Sequence, residues 1–147
     1  MKAGFLGIET PPENAHLTGL IRLVSWEELP ISEDSQYPEN VHYIAKFNDI
    51  LAAELHFHNG LHNKLQDVDQ HIYRADLADA IAVIEAEDDL RHERIWIDPT
   101  INHQELDKIK ENIVKIRTRK EKTDRAIQLL GYAAIALLVL YGLSSIL

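Results

Sequence analysis

From Ala126 to Leu147 the chain carries no Asp, Glu, Lys or Arg. The run opens Ala126-Ile127-Gln128-Leu129-Leu130-Gly131-Tyr132 and continues to Leu147 with Ser144 and Ser145 as its polar interruptions. Wound as an α-helix at about 1.5 Å per residue it spans roughly 33 Å, the thickness of a bilayer's hydrocarbon core. Helices inside soluble proteins are seldom this long and this apolar all round. The run therefore predicts one transmembrane helix, and the rest of the chain must fold as something attached to it.

A basic collar precedes the run. Between Lys108 and Arg125 there are eight Lys or Arg against Glu111, Glu121 and Asp124. The positive-inside rule sets this stretch, and the residues before it, on the cytoplasmic side. Lys115, Arg117, Arg119, Lys120, Lys122 and Arg125 are the candidate membrane-surface contacts, each worth about 1 kcal/mol near an anionic leaflet. The expectation is a single-pass, tail-anchored membrane protein with its N-terminal domain cytoplasmic.

Charge divides sharply along the chain. Residues 1–107 hold seven basic and twenty-one acidic side chains, a net of −14, and the collar brings the total to −9. An acidic body repels nucleic acid and anionic lipid, so the collar and the apolar run are the parts suited to a membrane. Nucleic acid is excluded as an expected partner. There is no cysteine, hence neither a disulfide nor thiolate chemistry. The start of the chain, interrupted by Pro11-Pro12, is too short and too broken for a signal peptide.

Four segments follow from the pattern. Residues 1–37 read as irregular, broken by Pro11-Pro12, Pro30 and the polar stretch from Ser32 to Gln36. Within them Leu17, Leu20, Ile21, Val24 and Trp26 form an apolar island that suits a short helix somewhat better than an extended segment. Ser25 and Glu28 are spaced to cap a further turn. Residues 38–101 read as a helical domain. Pro38 suits a first helical position, and Val41, Ile44, Leu51 and Leu55 recur at three- and four-residue steps. Asn59-Gly60 is a turn signal dividing this stretch into helices near 38–58 and 61–74. A third, near 75–92, buries Leu77, Ala80, Ile81 and Ile84, and Arg94 to Asp98 alternates as an extended connector ending at Pro99.

Residues 102–125 form the basic juxtamembrane helix, and residues 126–147 the transmembrane anchor. Asn102 and Glu105 are spaced for a capping box, with Ile101 and Leu106 placed as a hydrophobic staple. Leu106, Ile109, Ile113 and Ile116 then repeat at 3-4-3 spacing, in a register that continues through Lys120 and Thr123 into the apolar run. Such a seam packs either against the chain's own helices or into a coiled coil between copies. Gly131 and Ala134 mark a small-residue surface for helix–helix contact in the membrane. The predicted fold class is mainly α, a small helical domain on a long helix that continues into a single span.

Little in the sequence carries catalysis. Glu54, His58 and His62 fall at four-residue steps along one helical stripe, a spacing with which imidazoles can share a divalent metal. Partly exposed histidines flanking a turn account for them better, since no His-Glu-x-x-His or paired Glu-x-x-His motif occurs. Glu85, Glu87, Asp88 and Asp89, followed by Arg91, His92, Glu93 and Arg94, suit a solvated helix end better than paired catalytic carboxylates. No phosphate-cradling glycine loop, Gly-x-Ser-x-Gly elbow or cysteine nucleophile occurs. The expectation is a non-enzymatic protein without a cofactor, an adaptor or accessory subunit of a larger membrane complex. Its partners are then the lipid bilayer and either a membrane protein complex or further copies of itself. Two alternatives stand beside it: an oligomerising effector that permeabilises the bilayer, and a metal-binding helical bundle using His58 and His62.

Overall fold

A computed structural model describes residues 2–12, 19–31, 36–87, 90 and 92–146, with side chains described as far as Leu143. Three strands come first, β1 (Gly4–Glu9), β2 (Leu20–Trp26) and β3 (Val41–Phe47). Helix α1 (Ile50–Leu61) follows and closes in a 3-10 turn at His62–Lys64. The short strands β4 (Leu65–Asp67) and β5 (Ile72–Arg74) lead to α2 (Leu77–Glu85), then β6 (His92–Ile97) and the long α3 (His103–Ile146). The strands form one sheet in the order β4-β5-β2-β1-β3-β6, every neighbour antiparallel.

Alternation along the strands decides what the sheet buries. Leu6 and Ile8, Ile21 and Leu23, and Tyr43, Ala45 and Phe47 all join the main core. Two helices cover that face. From α1 come Ile50, Ala53, Phe57 and Leu61, and from α2 Ala78, Ile81 and Ile84. The helices approach closely because residue 60 lacks a side chain: a Cβ on Gly60 would stand 2.6 Å from Val83 Cγ1. On the opposite face Ile44 is also fully buried, beside its cross-strand partner Trp96, whose ring lies 4.8 Å from that of Tyr37. Trp26 lies across Gly7, where a Cβ would meet the indole at 2.4 Å.

The mainly α expectation is overturned: the body is α+β, built on a six-stranded antiparallel sheet. Residues 1–37, expected to be irregular, contain β1 and β2, and Trp26 ends a strand instead of opening a capped turn. The predicted helix from Pro38 is β3 followed by α1. Val41 and Ile44 fit a helical step, and Ile44, on the outward face between His42 and Lys46, interrupts the two-residue alternation of β3. Leu51 and Leu55, expected on the inner stripe, are 67% and 61% exposed. Asp49 sets this register by accepting from the Ala52 amide at 3.3 Å, so α1 starts at Ile50 and buries the neighbouring stripe. Asn59 and Gly60 lie inside α1. The predicted helix over 61–74 is the 3-10 turn and the β4–β5 pair, turned through His71 at φ 52°. The expected connector at Arg94–Asp98 belongs mostly to the edge strand β6.

Two helices are found where the sequence predicts helix starts. α2 lies within the predicted 75–92 stretch and buries Ala80, Ile81 and Ile84, with Leu77 packed against the core, but it ends at Glu85, and His92 opens β6. α3 begins at the expected capping box: Glu105 N donates to Asn102 Oδ1 at 2.9 Å, and Asn102 N to Glu105 Oε2 at 3.3 Å. Leu17, the stretch from Ser32 to Ser35, Asp88, Asp89, Arg91 and the side chains of Ser144 and Ser145 lie outside what is described.

Candidate functional site

The seam between α3 and the body is the site that links the two halves of the chain. Ile109 is buried in the core cluster, and Leu106, Ile113 and Ile116 pack against it, so the 3-4-3 stripe faces this chain's own body. Polar contacts run beside the stripe in parallel order. Lys108 Nζ donates to Asp76 Oδ2 at 2.7 Å, and Asn112 Nδ2 to Asp79 Oδ1 at 2.8 Å. Arg117 donates to the Glu85 carbonyl at 3.1 Å, and Lys120 Nζ to Glu87 Oε1 at 3.1 Å. Contacts advancing along both helices together mean that α2 and α3 run in the same direction. The Lys108 ammonium, by its hydrogen bond and then its charge, holds the Asp76 carboxyl below the usual carboxylate range.

The end of α2 is where most of these links converge. Glu85 Oε1 accepts from Tyr43 of β3 at 2.5 Å and from Arg94 Nε of β6 at 2.7 Å. Burial alone would raise the Glu85 pKa, but hydrogen bonds from Arg94 and Tyr43 outweigh it and hold the carboxyl below its ordinary value. Burial, and then the adjacent Glu85 charge, pushes the Tyr43 phenol well above the ordinary tyrosine range. Glu87, 6% exposed, lies 2.7 Å from His56 Nδ1 of α1 and takes Lys120 on its other oxygen. One turn of α2 and the residues just after it therefore tie α1, β3, β6 and α3 together. Beside the seam, α1, the 3-10 turn, α2 and α3 line an open cleft of about 610 Å³, with Leu61, Val83 and Ile116 among its apolar lining.

Beyond Lys120 the helix leaves the body. Its apolar surface is then uncovered: Leu130 is 71% exposed and Leu138 also 71%. By length and composition α3 is a candidate membrane span, and none of its apolar window is buried against the protein. Gly131 and Ala134 lie on this uncovered stretch, and a Cβ on Gly131 would meet nothing within 4 Å. Of the collar, Arg117 and Lys120 turn to the body, while Lys115 pairs with Glu111 and Arg125 with Glu121 along the helix. Arg119 and Lys122 are exposed.

The histidine stripe is separated. Glu54 and His58 stay on α1, where His58 Nδ1 lies 3.3 Å from the Tyr73 hydroxyl. His62 sits in the 3-10 turn, its Nδ1 2.9 Å from the Asn59 carbonyl. Among the described residues no group of three or more His, Cys, Asp or Glu side chains could hold a metal ion.

One constellation was not foreseen. Thr10 Oγ1, His42 Nε2 and Nδ1, and Asp98 Oδ2 form a chain with steps of 2.8 and 2.9 Å, and Thr100 donates twice to Asp98 Oδ1. Burial alone would raise the Asp98 pKa, but hydrogen bonds from His42 and Thr100 prevail and hold it below the usual range. The order resembles nucleophile, base and orienter, yet each member also sits at a strand end, and together they join β1, β3 and β6. These residues lie 32 and 56 positions apart in the chain, so no local motif announces them.

The geometry defines a class, an α+β body clamped along a long helix whose distal half is a candidate membrane span. No protein-family model, curated protein or solved structure matches the chain.

Proposed function

We propose that the protein is a non-enzymatic, membrane-anchored accessory subunit, which holds its acidic α+β body against a larger membrane assembly from the cytoplasmic side. The carrying observation is the uncovered apolar surface of α3 after residue 125, continuous with a proximal half that the body covers. Some eighteen residues of such surface are not stable in water and need lipid or another apolar helix. The collar before that surface supports the cytoplasmic orientation. Seam contacts keep the body from swinging freely on a tether, which suits a part that presents one face to a fixed neighbour.

Truncation after Asp124 tests the anchor. The shortened chain is expected in the soluble fraction, and the full chain in membranes after alkaline extraction. A truncated chain that still resists extraction would contradict the proposal. Affinity purification of the full chain in mild detergent, followed by a mass measurement, tests the accessory role. A defined hetero-complex supports it, and a homogeneous self-oligomer points to the effector reading instead.

A further inference from the structure

The parallel run of α2 and α3 gives the body an up and a down. Asp76 meets Lys108 and Glu87 meets Lys120, so the C-terminal end of α2 lies nearest the apolar run. Other elements share that end. His92 stands 3.7 Å from Glu85 and pairs with Phe47, which pairs with Gly4. The Ile50 amide donates to the Lys2 carbonyl at 2.9 Å, and Lys2 forms an ion pair with Glu27 beside Trp26. The start of β1, the end of β2, the β3–α1 corner and the residues after α2 therefore form one end of the body. Glu39, Asp98 and the Asn102 cap lie at the other.

Distance along α3 sets the height of the near end. Lys120 is six residues before Ala126, about 9 Å of helix rise. A head-group layer is about 5–8 Å deep on each side of the hydrocarbon. The seam thus holds the near end within reach of the head groups, whereas Asn102 stands about 36 Å above the hydrocarbon edge. This end exposes Leu51 (67%) at the first turn of α1, together with Lys2, Lys46, Glu27 and Glu93. Lys46, Asn48, His92 and Glu93 line a cleft of about 220 Å³ there. Interleaved charges of both signs around an apolar corner match a head group that itself carries a cation and a phosphate.

We propose that the body rests end-on against the bilayer, with the β3–α1 corner around Leu51 seated among zwitterionic phospholipid head groups. The inference rests on α3 being the membrane anchor. Because the chain has no cysteine, Leu51→Cys and Glu39→Cys each give a single labelling site on an exposed residue at opposite ends. Full-length protein is labelled with a fluorophore and reconstituted into phosphatidylcholine vesicles containing a head-group spin label as quencher. The label at residue 51 is expected to lose fluorescence while the label at 39 stays bright. A label-free arm compares Trp96→Phe, which reports on Trp26 near the bilayer, with Trp26→Phe, which reports on Trp96 farther up. Co-flotation with vesicles but equal quenching at both ends, or stronger quenching at 39, overturns the end-on placement alone. Failure to co-float overturns the anchoring as well.

Discussion

Single side chains at helix crossings and ion pairs hold this body together. Gly60→Ala gains about 1 kcal/mol in helix propensity but drives a methyl to 2.6 Å from Val83, and overpacking of that kind costs about 1–3 kcal/mol. The net expectation is a thermal midpoint lowered by a few degrees in detergent, whereas Asn59→Ala, at the exposed neighbour, leaves it unchanged or raises it. Glu85 makes a pH-dependent contribution. Its carboxyl is held below the ordinary value, so its stabilisation is complete at neutral pH and fades as pH falls through the folded pKa. Glu85→Gln should cost about 2 kcal/mol at pH 7, the range for hydrogen bonds to a charged group. Its deficit against the parent should shrink in acid, as read from unfolding midpoints across pH 7 to 3.

At the scale of elements, the seam behaves as a closed clasp. Ile109→Asp sets a charge against the core at a residue only 4% exposed, and should open α3 from the body. Tryptic cleavage at the collar lysines and arginines is then expected to quicken about tenfold or more, since cleavage follows the open population. Unchanged cleavage would mean that the seam is not what protects the collar. The elements also show how far the residues could be read in advance. α3 and its cap were legible because a capping box, a 3-4-3 stripe and an uncharged run are all local signals. The sheet was not. β3 alternates apolar Val41, Tyr43, Ala45 and Phe47 with His42 and Lys46, but Ile44 interrupts that pattern, and Val41 and Ile44 also satisfy a helical step. The Asp76–Lys108 and Glu87–Lys120 contacts pair residues 32 and 33 positions apart. The charges were visible in the chain, but which ones meet depends on a topology that no spacing encodes. Lys120 and Arg117 therefore read as lipid contacts, although the body takes both.

For the whole molecule, the apolar half of α3 governs where it resides. Leu138, 71% exposed and near the middle of the run, is the place to tax insertion: Leu138→Arg should cost about 2.5–3.5 kcal/mol of transfer free energy. A measurable share of the chain should then leave the alkali-resistant membrane fraction while the body stays folded. An unchanged fraction would indicate that protein, not lipid, covers this surface. One further consequence follows from α3 being a single uninterrupted rod of 44 residues. A stiff shaft gripped at one end transmits force without slack. Any piston stroke or twist imposed on its greasy portion would reach the body first at the Lys120–Glu87–His56 contact, and then, through Arg117, the Tyr43–Glu85–Arg94 knot.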